Sequence, residues 1–520
     1  MLDVCIIGAG IAGCACAREL AAYDLDVMVV EAGYDVSCGT TRANSGIVHA
    51  GYDPQPDTLK ARYNVLGSRL YPQLAQELGF SYSQCGSMVV AFSDEERPAL
   101  EQLLKRGNAN GVEGLRIIED PELHQREPNL SPAAVAALWV PTGGIVNPYG
   151  ACLAFAENAA TNGVAFRFNT YVESVRPLED GTWELSLCDL LAQDANASSK
   201  QPAGADRIVG QQPTPTDTVQ ARIVINAAGL ESGRLNNQVS PHRIKITPRA
   251  GEYLLLDKAW GGAFTSTIFQ VPTKAGKGVL VTPTTGSNVL IGPDAIARDT
   301  ARELQTTGEG LAGVLEHARR TWEHIPVQDA ITNFAGLRSS CLEEPDFHLG
   351  EALDAPGFYN IAGFDSPGLT SAPAVAQEYA ARIADQLHAQ KRPDFNPHRP
   401  APLFFSQLTD EERARLAEKD PAWGRLICRC ELVTEAQILA ALRSPLPATT
   451  TDAVKWRTRA GMGRCQAGFC LPLVAELIAR ETGCEPWQVR KGWPGSELAM
   501  GLRGCLTDLP EVSMGEEAAR

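Results

Sequence analysis

The sequence predicts an α/β protein: a Rossmann-like, parallel-stranded domain interleaved with a second, α+β sheet domain and followed by a small helical module bearing cysteines. Three observations carry that expectation. A glycine-rich turn links an apolar strand to a small-residue helix at the N-terminus. Strand-like and helix-like runs then alternate along most of the chain. Two close cysteine pairs lie beyond a proline-rich stretch near the C-terminus.

Leu2 to Ile7 is a short apolar run followed by Gly8-Ala9-Gly10-Ile11-Ala12-Gly13, and then by a helix-like Ala15, Ala17, Leu20, Ala21 pattern. Val27 to Val30 supplies a second strand that ends in Glu31 and Ala32. Gly8 permits a tight turn, Gly10 lets backbone approach a pyrophosphate, and Gly13 lets helix meet strand. The helix N-terminus attracts the anion, and Glu31 stands where a ribose hydroxyl would be met. A dinucleotide cradle is expected, although the glycines leave FAD and a nicotinamide cofactor both open. Gly308 to Gly313 repeats the glycine spacing but follows the polar Arg302 to Thr307 segment rather than a strand, so it reads as a helix-start loop.

The chain has 520 residues, enough for about three domains at ~100–200 residues each. Apolar residues make up 44% and charged residues 21%, a globular composition. Forty-six Lys and Arg oppose 62 Asp and Glu for a net charge of -16, which disfavours nucleic acid and anionic membrane as partners. No run approaches the ~18 apolar residues of a membrane span. The apolar start carries Asp3 and no preceding positive residue, so it reads as mature structure rather than as a signal peptide. Fourteen cysteines in so long a chain fit reduced thiols and a metal cluster in a cytoplasmic protein better than a disulfide scaffold.

Two further segments narrow the nucleotide. Arg222 to Ala227 is a buried-looking strand ending in Ala227, Ala228 and Gly229, where backbone can lie against a ligand. Residues 357 to 374 read as a strand, a turn at Ser366-Pro367-Gly368 and a helix starting at Leu369, a second helix N-terminus for an anion or carbonyl. With these segments in this order, residues 1 to about 385 resemble the D-amino-acid-oxidase-like FAD oxidoreductase superfamily. That resemblance implies FAD, contacted by Ala228, Gly229, Gly363, Gly368 and Leu369. The wider set of cofactor contacts it implies adds Ile11, Ala12, Ala32, Val172, Gly336 and Thr370 to the cradle residues.

The loop from Gly39 to Gly51 is rich in hydroxyl, amide and glycine groups that can wrap phosphate and flavin edge, with Thr40, Thr41, Asn44 and Ser45 as candidate contacts. Its Asn-Ser-Gly-x-x-His-x-Gly pattern, Asn44 to Gly51, resembles anaerobic-type glycerol-3-phosphate dehydrogenases and L-2-hydroxyglutarate dehydrogenases. His49 is a candidate base for a hydroxyl proton, since imidazole titrates near neutral pH; a flavin anchor and a structural histidine are the alternatives. Arg338 occupies a position whose counterpart in amine-oxidising relatives binds a substrate carboxylate, and a planar guanidinium matches carboxylate or phosphate with two parallel hydrogen bonds. Arg249 and Tyr253, in PRAGEYLLL, precede a strand that would line the opposite wall. For either arginine the plain alternative is a surface salt bridge. The expected reaction is oxidation of a carbinol by flavin, with the protein supplying alignment, an anion anchor and a shielded pocket.

Residues 389 to 403 hold four prolines and no apolar period, and read as an extended linker. Beyond it, Cys428, Cys430, Cys465 and Cys470 form two close pairs, a soft four-sulfur set suited to zinc or to an iron–sulfur cluster. The one-residue gap between Cys428 and Cys430 departs from zinc knuckles, and the glycines around Cys465 let amides approach sulfur. Residues 427 to 470 resemble the bacterioferritin-associated-ferredoxin-like [2Fe-2S] domain. Lys455, Arg457, Arg459 and Arg464 form a basic stretch before the second pair, either raising the cluster's potential or forming an ordinary solvated helix face. The other ten thiols show no ligand spacing, and Cys5, Cys14 and Cys16 are expected in the core.

The expected organisation is a Rossmann-like FAD-binding domain in residues 1–77, 146–239 and 331–390, and an α+β substrate domain in 78–145 and 240–330. A linker in 391–423, a [2Fe-2S] domain in 424–475 and a C-terminal extension in 476–520 follow. Residues 189–218 read as a flexible insertion carrying an incidental Asn196-Ala197-Ser198 sequon. The whole-chain resemblance to glycerol-3-phosphate dehydrogenases implies oxidation of a small anionic hydroxy compound, with electrons passing from FAD through the cluster to an electron-accepting partner subunit. An L-2-hydroxyglutarate or other 2-hydroxy-acid dehydrogenase, a non-catalytic redox sensor or metal carrier, and an oxygen-using amine oxidase with a structural zinc tail are the alternatives.

Overall fold

The computed structural model describes residues 1–195, 214–272, 278–301 and 303–499. Leu2–Ile7 is the centre of an eight-stranded sheet, paired in parallel with Asp217–Asn226 on one side and with Val27–Val30 on the other. Its inner residues Val4 to Ile7 are buried because helices cover one face and a second layer covers the other, which is why the strand reads as a continuous apolar run. Ala165–Arg167 extends the parallel edge, while Thr170–Pro177 and Trp183–Asp189 add an antiparallel hairpin at the opposite side. Ala355–Ala362 pairs in parallel with the far end of Asp217–Asn226. The sheet is therefore mixed, with a parallel core that presents its strand ends and the glycine turn to one edge.

Ile11–Leu20, Leu59–Leu78, Pro148–Thr161 and Gly368–Leu387 pack on one face of this sheet around a core that includes Leu20, Tyr71, Phe155 and Ile383. Cys14 and Cys16 lie in that core, and Cys5 lies in the core of the opposite face, as small buried side chains.

A second sheet has nine strands, mostly antiparallel, and draws on two separate stretches of chain. Ser87–Ala91, Arg116–Ile118 and Ala136–Val140 come from the first stretch; Thr247–Leu256 and the strands to Ala330–Ser340 come from the second. Ala330–Ser340 pairs along its length with Thr247–Leu256. That strand belongs to the second sheet, so the expected boundary at 331 falls at its start rather than after it. Gly308–Ala318 is a helix capped by the Thr307 hydroxyl, so the second glycine repeat opens a helix without a preceding strand. The insertion contributes the short helix Leu190–Ala195 and the first residues of Asp217–Asn226; residues 196–213, including Asn196-Ala197-Ser198, lie outside the described residues.

Residues 391–404 are extended, as their prolines require, but they are strapped down along the first domain. Lys391 bridges to Tyr23, Arg392 donates to the Asn162 carbonyl, and Arg399 pairs with Glu157 at 2.6 Å. The expected linker also contains a helix, Asp410–Lys419, begun by a reciprocal capping pair of Thr409 and Glu412. The C-terminal module folds as Leu426–Cys428 and Val433–Thr434 with three helices, Glu435–Leu442, Thr451–Thr458 and Leu471–Thr482. Its core holds Leu477, Ile478 and Val489, so the described residues from 476 to 489 are part of the module rather than an appended extension.

Candidate functional site

The two sheets enclose a cavity of about 1360 Å³. At one end the glycine cradle closes tightly. A Cβ at Gly8, whose φ is +105°, would stand 2.5 Å from the Ala227 carbonyl, and one at Gly13 would overlap the Gly8 carbonyl. Gly8, Gly10, Ile11 and Ala12 line the cavity, and helix Ile11–Leu20 begins at Gly10, which has no side chain; the Thr41 hydroxyl takes the Ile11 N–H, and the rest of the first turn can face a ligand anion. Gly368–Leu387 begins without a side-chain cap, and Gly368 and Leu369 lie on the wall.

Glu31 lies beside the cradle and accepts the Ala9 and Gly33 N–H groups, each at 2.6 Å. Burial raises its carboxyl above the ordinary value, and those two bonds oppose the shift. Ala32, Thr40, Thr41, Asn44, Ser45, Val172, Ala228 and Gly229 complete the nucleotide side. Four of the expected contacts do not line the cavity. Gly13 is the helix–strand crossing; Gly336 lets its strand press on the Ala43 carbonyl; Gly363 takes a turn at φ +60° behind the wall; Thr370 is fully buried. The sequence marks such positions as small residues near a ligand, but close backbone packing asks for the same residues.

The other end of the cavity is built by the second sheet. Arg249, Tyr253 and Arg338 line it together with His49. Arg249 and Arg338 stand directly opposite each other in the antiparallel register. Arg338 donates to the Ala250 and Asp294 carbonyls at 3.2 Å each. The Tyr253 ring stacks on Phe334 with centroids 4.8 Å apart, and its hydroxyl is 3.3 Å from that of Ser45. The His49 ring packs near Phe269 at 5.9 Å, and its Nε2 is 3.4 Å from the Ser366 hydroxyl.

Several wall residues carry no sequence signal of function. Lys60 sits on an amphipathic helix and pairs with Asp365 at 2.7 Å; Arg298 pairs with the buried Glu252 at 2.9 Å. Asp294 accepts the Glu252 N–H through one oxygen while the other is buried without a partner among the described residues, and burial raises its pKa.

In the C-terminal module the four predicted thiols come together. The Cys430 and Cys465 sulfurs are 3.4 Å apart. The neighbouring Cys470 thiol, with the Gly461 and Glu431 N–H groups, pulls the Cys428 thiol down to about 6. Left-handed backbone at Gly461, Gln466 and Ala467 turns the chain around the sulfurs. Among the described residues no three Cys, His, Asp or Glu donors converge on one point. The thiols meet two by two.

The basic stretch is only partly a solvated face. Arg457 is buried against Asp35, with side-chain exposures of 4% and 5%; Arg459 pairs with Glu431, and Arg464 with Asp257. Burial lowers the pKa of Lys455. Arg457 and Arg459 dock the module on the rest of the chain through these partners, whereas Arg464 is exposed.

The FAD dependent oxidoreductase family matches residues 3–382, and the BFD-like [2Fe-2S] binding domain matches residues 426–480. A glycerol 3-phosphate dehydrogenase of Caloramator mitchellensis is 42% identical over 96% of this chain and 98% of its own length. The mitochondrial L-2-hydroxyglutarate dehydrogenase of Bos taurus is 31% identical over 74% of this chain and 88% of its own. The dithionite-reduced L-alpha-glycerophosphate oxidase of Mycoplasma pneumoniae with FAD bound aligns with a TM-score of 0.69 at 30% identity, over 78% of this chain and 99% of that one. The tight glycine turn, the two helix N-termini and the paired thiols fit the cofactors of these two families: the chain belongs to the FAD dependent oxidoreductases and carries a C-terminal BFD-like [2Fe-2S] binding domain.

Proposed function

We propose that the chain oxidises a small anionic hydroxy compound, glycerol 3-phosphate, and delivers the electrons to an external acceptor. The observation that supports this substrate is the facing pair Arg249 and Arg338 on the cavity wall. Like charges directly opposite across a sheet are destabilising, and neither guanidinium forms an ion pair among the described residues. A phosphate dianion brings two negative charges to one point and satisfies both; the single carboxylate of a simple hydroxy acid satisfies one. Lys60, Arg298 and Arg320 also lie on the wall, but Asp365, Glu252 and Glu96 already neutralise them.

When bound, FAD supplies the acceptor for the carbinol hydride, and the [2Fe-2S] cluster supplies a one-electron relay toward the outside acceptor. The protein's own residues do the rest. Arg249 and Arg338 hold the phosphate, with Tyr253 fixed between Ser45 and Phe334 as a hydroxyl donor to it. His49 accepts the substrate hydroxyl proton at an imidazole nitrogen. The nucleotide-side residues from Gly8 to Leu369 hold the dinucleotide with the substrate end of the cavity beyond it.

A redox protein or subunit is the proposed acceptor: Cys430 is exposed, and Phe469, beside Cys470, is 79% exposed. A reducing, cytoplasmic setting is supported by the cysteines of the described residues, all of which are free thiols. No helix among the described residues is long and apolar enough to cross a membrane.

The test is anaerobic titration of the FAD-loaded protein with glycerol 3-phosphate, L-2-hydroxyglutarate, glycerol and amino acids. Bleaching of the flavin bands at the lowest concentration by glycerol 3-phosphate is expected. Preferential bleaching by L-2-hydroxyglutarate would move the chain to the other relative's chemistry, and no bleaching by any of them would favour a redox sensor.

A further inference from the structure

The segment from Glu31 to Ser45 has two working sides. Its inner side belongs to the cavity: Thr40, Thr41, Asn44 and Ser45 line it, and the Thr41 hydroxyl accepts the Ile11 N–H at 3.0 Å. The Ser37 N–H donates to the Ala9 carbonyl at 2.9 Å, which ties the segment to the glycine cradle. Its outer side belongs to the C-terminal module. Arg457 donates to Asp35 Oδ1 at 2.8 Å, and the Tyr149 hydroxyl donates to Asp35 Oδ2 at 2.8 Å. The Arg42 guanidinium lies over both the Tyr34 ring, at 6.0 Å, and the Trp456 ring, at 5.9 Å. Trp493 meets Tyr34 edge-on at 5.9 Å.

We propose that Asp35 and Arg457 are positioning residues for both cofactor sites, holding the [2Fe-2S] module against the loop that cups the dinucleotide, so that FAD binding and module docking stabilise each other. This rests on the assignment of the cavity to FAD and of the four thiols to the cluster. The buried ion pair forms only when Asp35 is presented on the outer side of the loop, and that same loop conformation places Thr40, Thr41 and Asn44 on the inner wall. An undocked module leaves Asp35 and Tyr149 without their cation, so the loop loses the contact that selects its cavity-competent form. Thermodynamic linkage then makes the effect reciprocal: the factor by which FAD favours docking is the factor by which docking favours FAD. The strap through Lys391, Arg392 and Arg399 keeps an undocked module close, so the docked state re-forms as an intramolecular event.

The test uses the full chain loaded with its cluster and stripped of FAD. Hydrogen–deuterium exchange is followed in residues 450–460 and 486–496 before and after FAD is restored. Slowing of about fivefold or more in both segments is expected, the low end of ordinary coupling between sites. Unchanged exchange in a chain that does take up FAD overturns the proposal. In a second arm, FAD dissociation constants are measured by flavin fluorescence for Arg457→Gln and for Trp493→Ala, which leaves the ion pair in place. Arg457→Gln is expected to weaken FAD by the same factor as the slowing, and Trp493→Ala by less, with iron content and the reduced-cluster EPR line shape retained. An FAD affinity within twofold of the wild type in both variants overturns the proposal. A wild-type chain that takes up neither flavin nor iron would instead overturn the cofactor assignment.

Discussion

The Thr370 hydroxyl accepts the backbone N–H of His49 at 3.0 Å, joining the loop that carries the imidazole to the first turn of helix Gly368–Leu387. Thr370 is fully buried, so removing its hydroxyl leaves that N–H without a partner at a cost of about 1–3 kcal/mol. Its side chain thus holds the His49 backbone.

His49→Gln is expected to lower kcat by about 10²–10⁴-fold while the bound flavin keeps its spectrum, because a general base is lost and the cavity is not. The acidic limb of the pH–rate profile should vanish with it. Thr370→Val should retain that limb at a lower rate. An unchanged limb in His49→Gln would assign the proton to another group.

Arg249→Gln and Arg338→Gln should each weaken the use of glycerol 3-phosphate by about 30–1000-fold, the ~2–4 kcal/mol of a charge-assisted contact. Because both meet one phosphate, the double variant should lose less than the product of the two single losses. Steady-state kcat/KM for the four proteins measures this. Turnover of unphosphorylated glycerol should be equally poor in all of them.

Burial raises the carboxyl of Asp294 above its unfolded value of about 3.9. A raised acid binds its proton more tightly folded than unfolded. Its stabilising contribution is therefore complete below about pH 4 and is lost as pH rises through the folded value. Asp294→Asn, whose amide oxygen still accepts the Glu252 N–H, escapes that loss. Urea midpoints from pH 4 to pH 7 should show the variant gaining on the wild type as pH rises; a constant gap would show that the carboxyl is solvated.

Cys465→Ser is expected to abolish the iron and sulfide content while substrate still bleaches the flavin bands, since the thiol lies in a separate module from the cavity. Metal analysis and anaerobic spectra read the two effects independently. Zinc in the wild-type protein without iron or sulfide would replace the cluster by a structural metal.

Gly336→Ala places a methyl group into the Ala43 carbonyl, beside the Thr40 hydroxyl bond to the Leu337 carbonyl. The strand and the nucleotide loop must move apart, and overpacking of this kind costs about 1–3 kcal/mol. A lower melting temperature together with weaker FAD retention is expected. An unchanged melting temperature would show that the loop yields freely.

Some of this protein is written locally. Gly8, Gly10 and Gly13 announce a cradle because turn, close approach and helix–strand crossing each exclude a side chain within a span of six residues. Cys428, Cys430, Cys465 and Cys470 announce a sulfur-ligated centre because metal ligands come with close spacings. Other features depend on which distant strands meet. Arg249 and Arg338 become a facing pair only through the register of two long antiparallel strands, and Ala330–Ser340 joins the second sheet through the same pairing. Asp35 and Arg457, 422 residues apart, are buried together only by folding. That Gly336 packs its backbone on the Ala43 carbonyl is likewise visible only in the assembled fold. Local backbone chemistry is determined by a few neighbouring residues, and the sequence by itself determined that part: the cradle, the thiol pairs and the class of chemistry. Which side chains share a wall, and whether a basic stretch faces water or a buried carboxylate, was decided only by tertiary structure, because burial and register are properties of the assembled sheets.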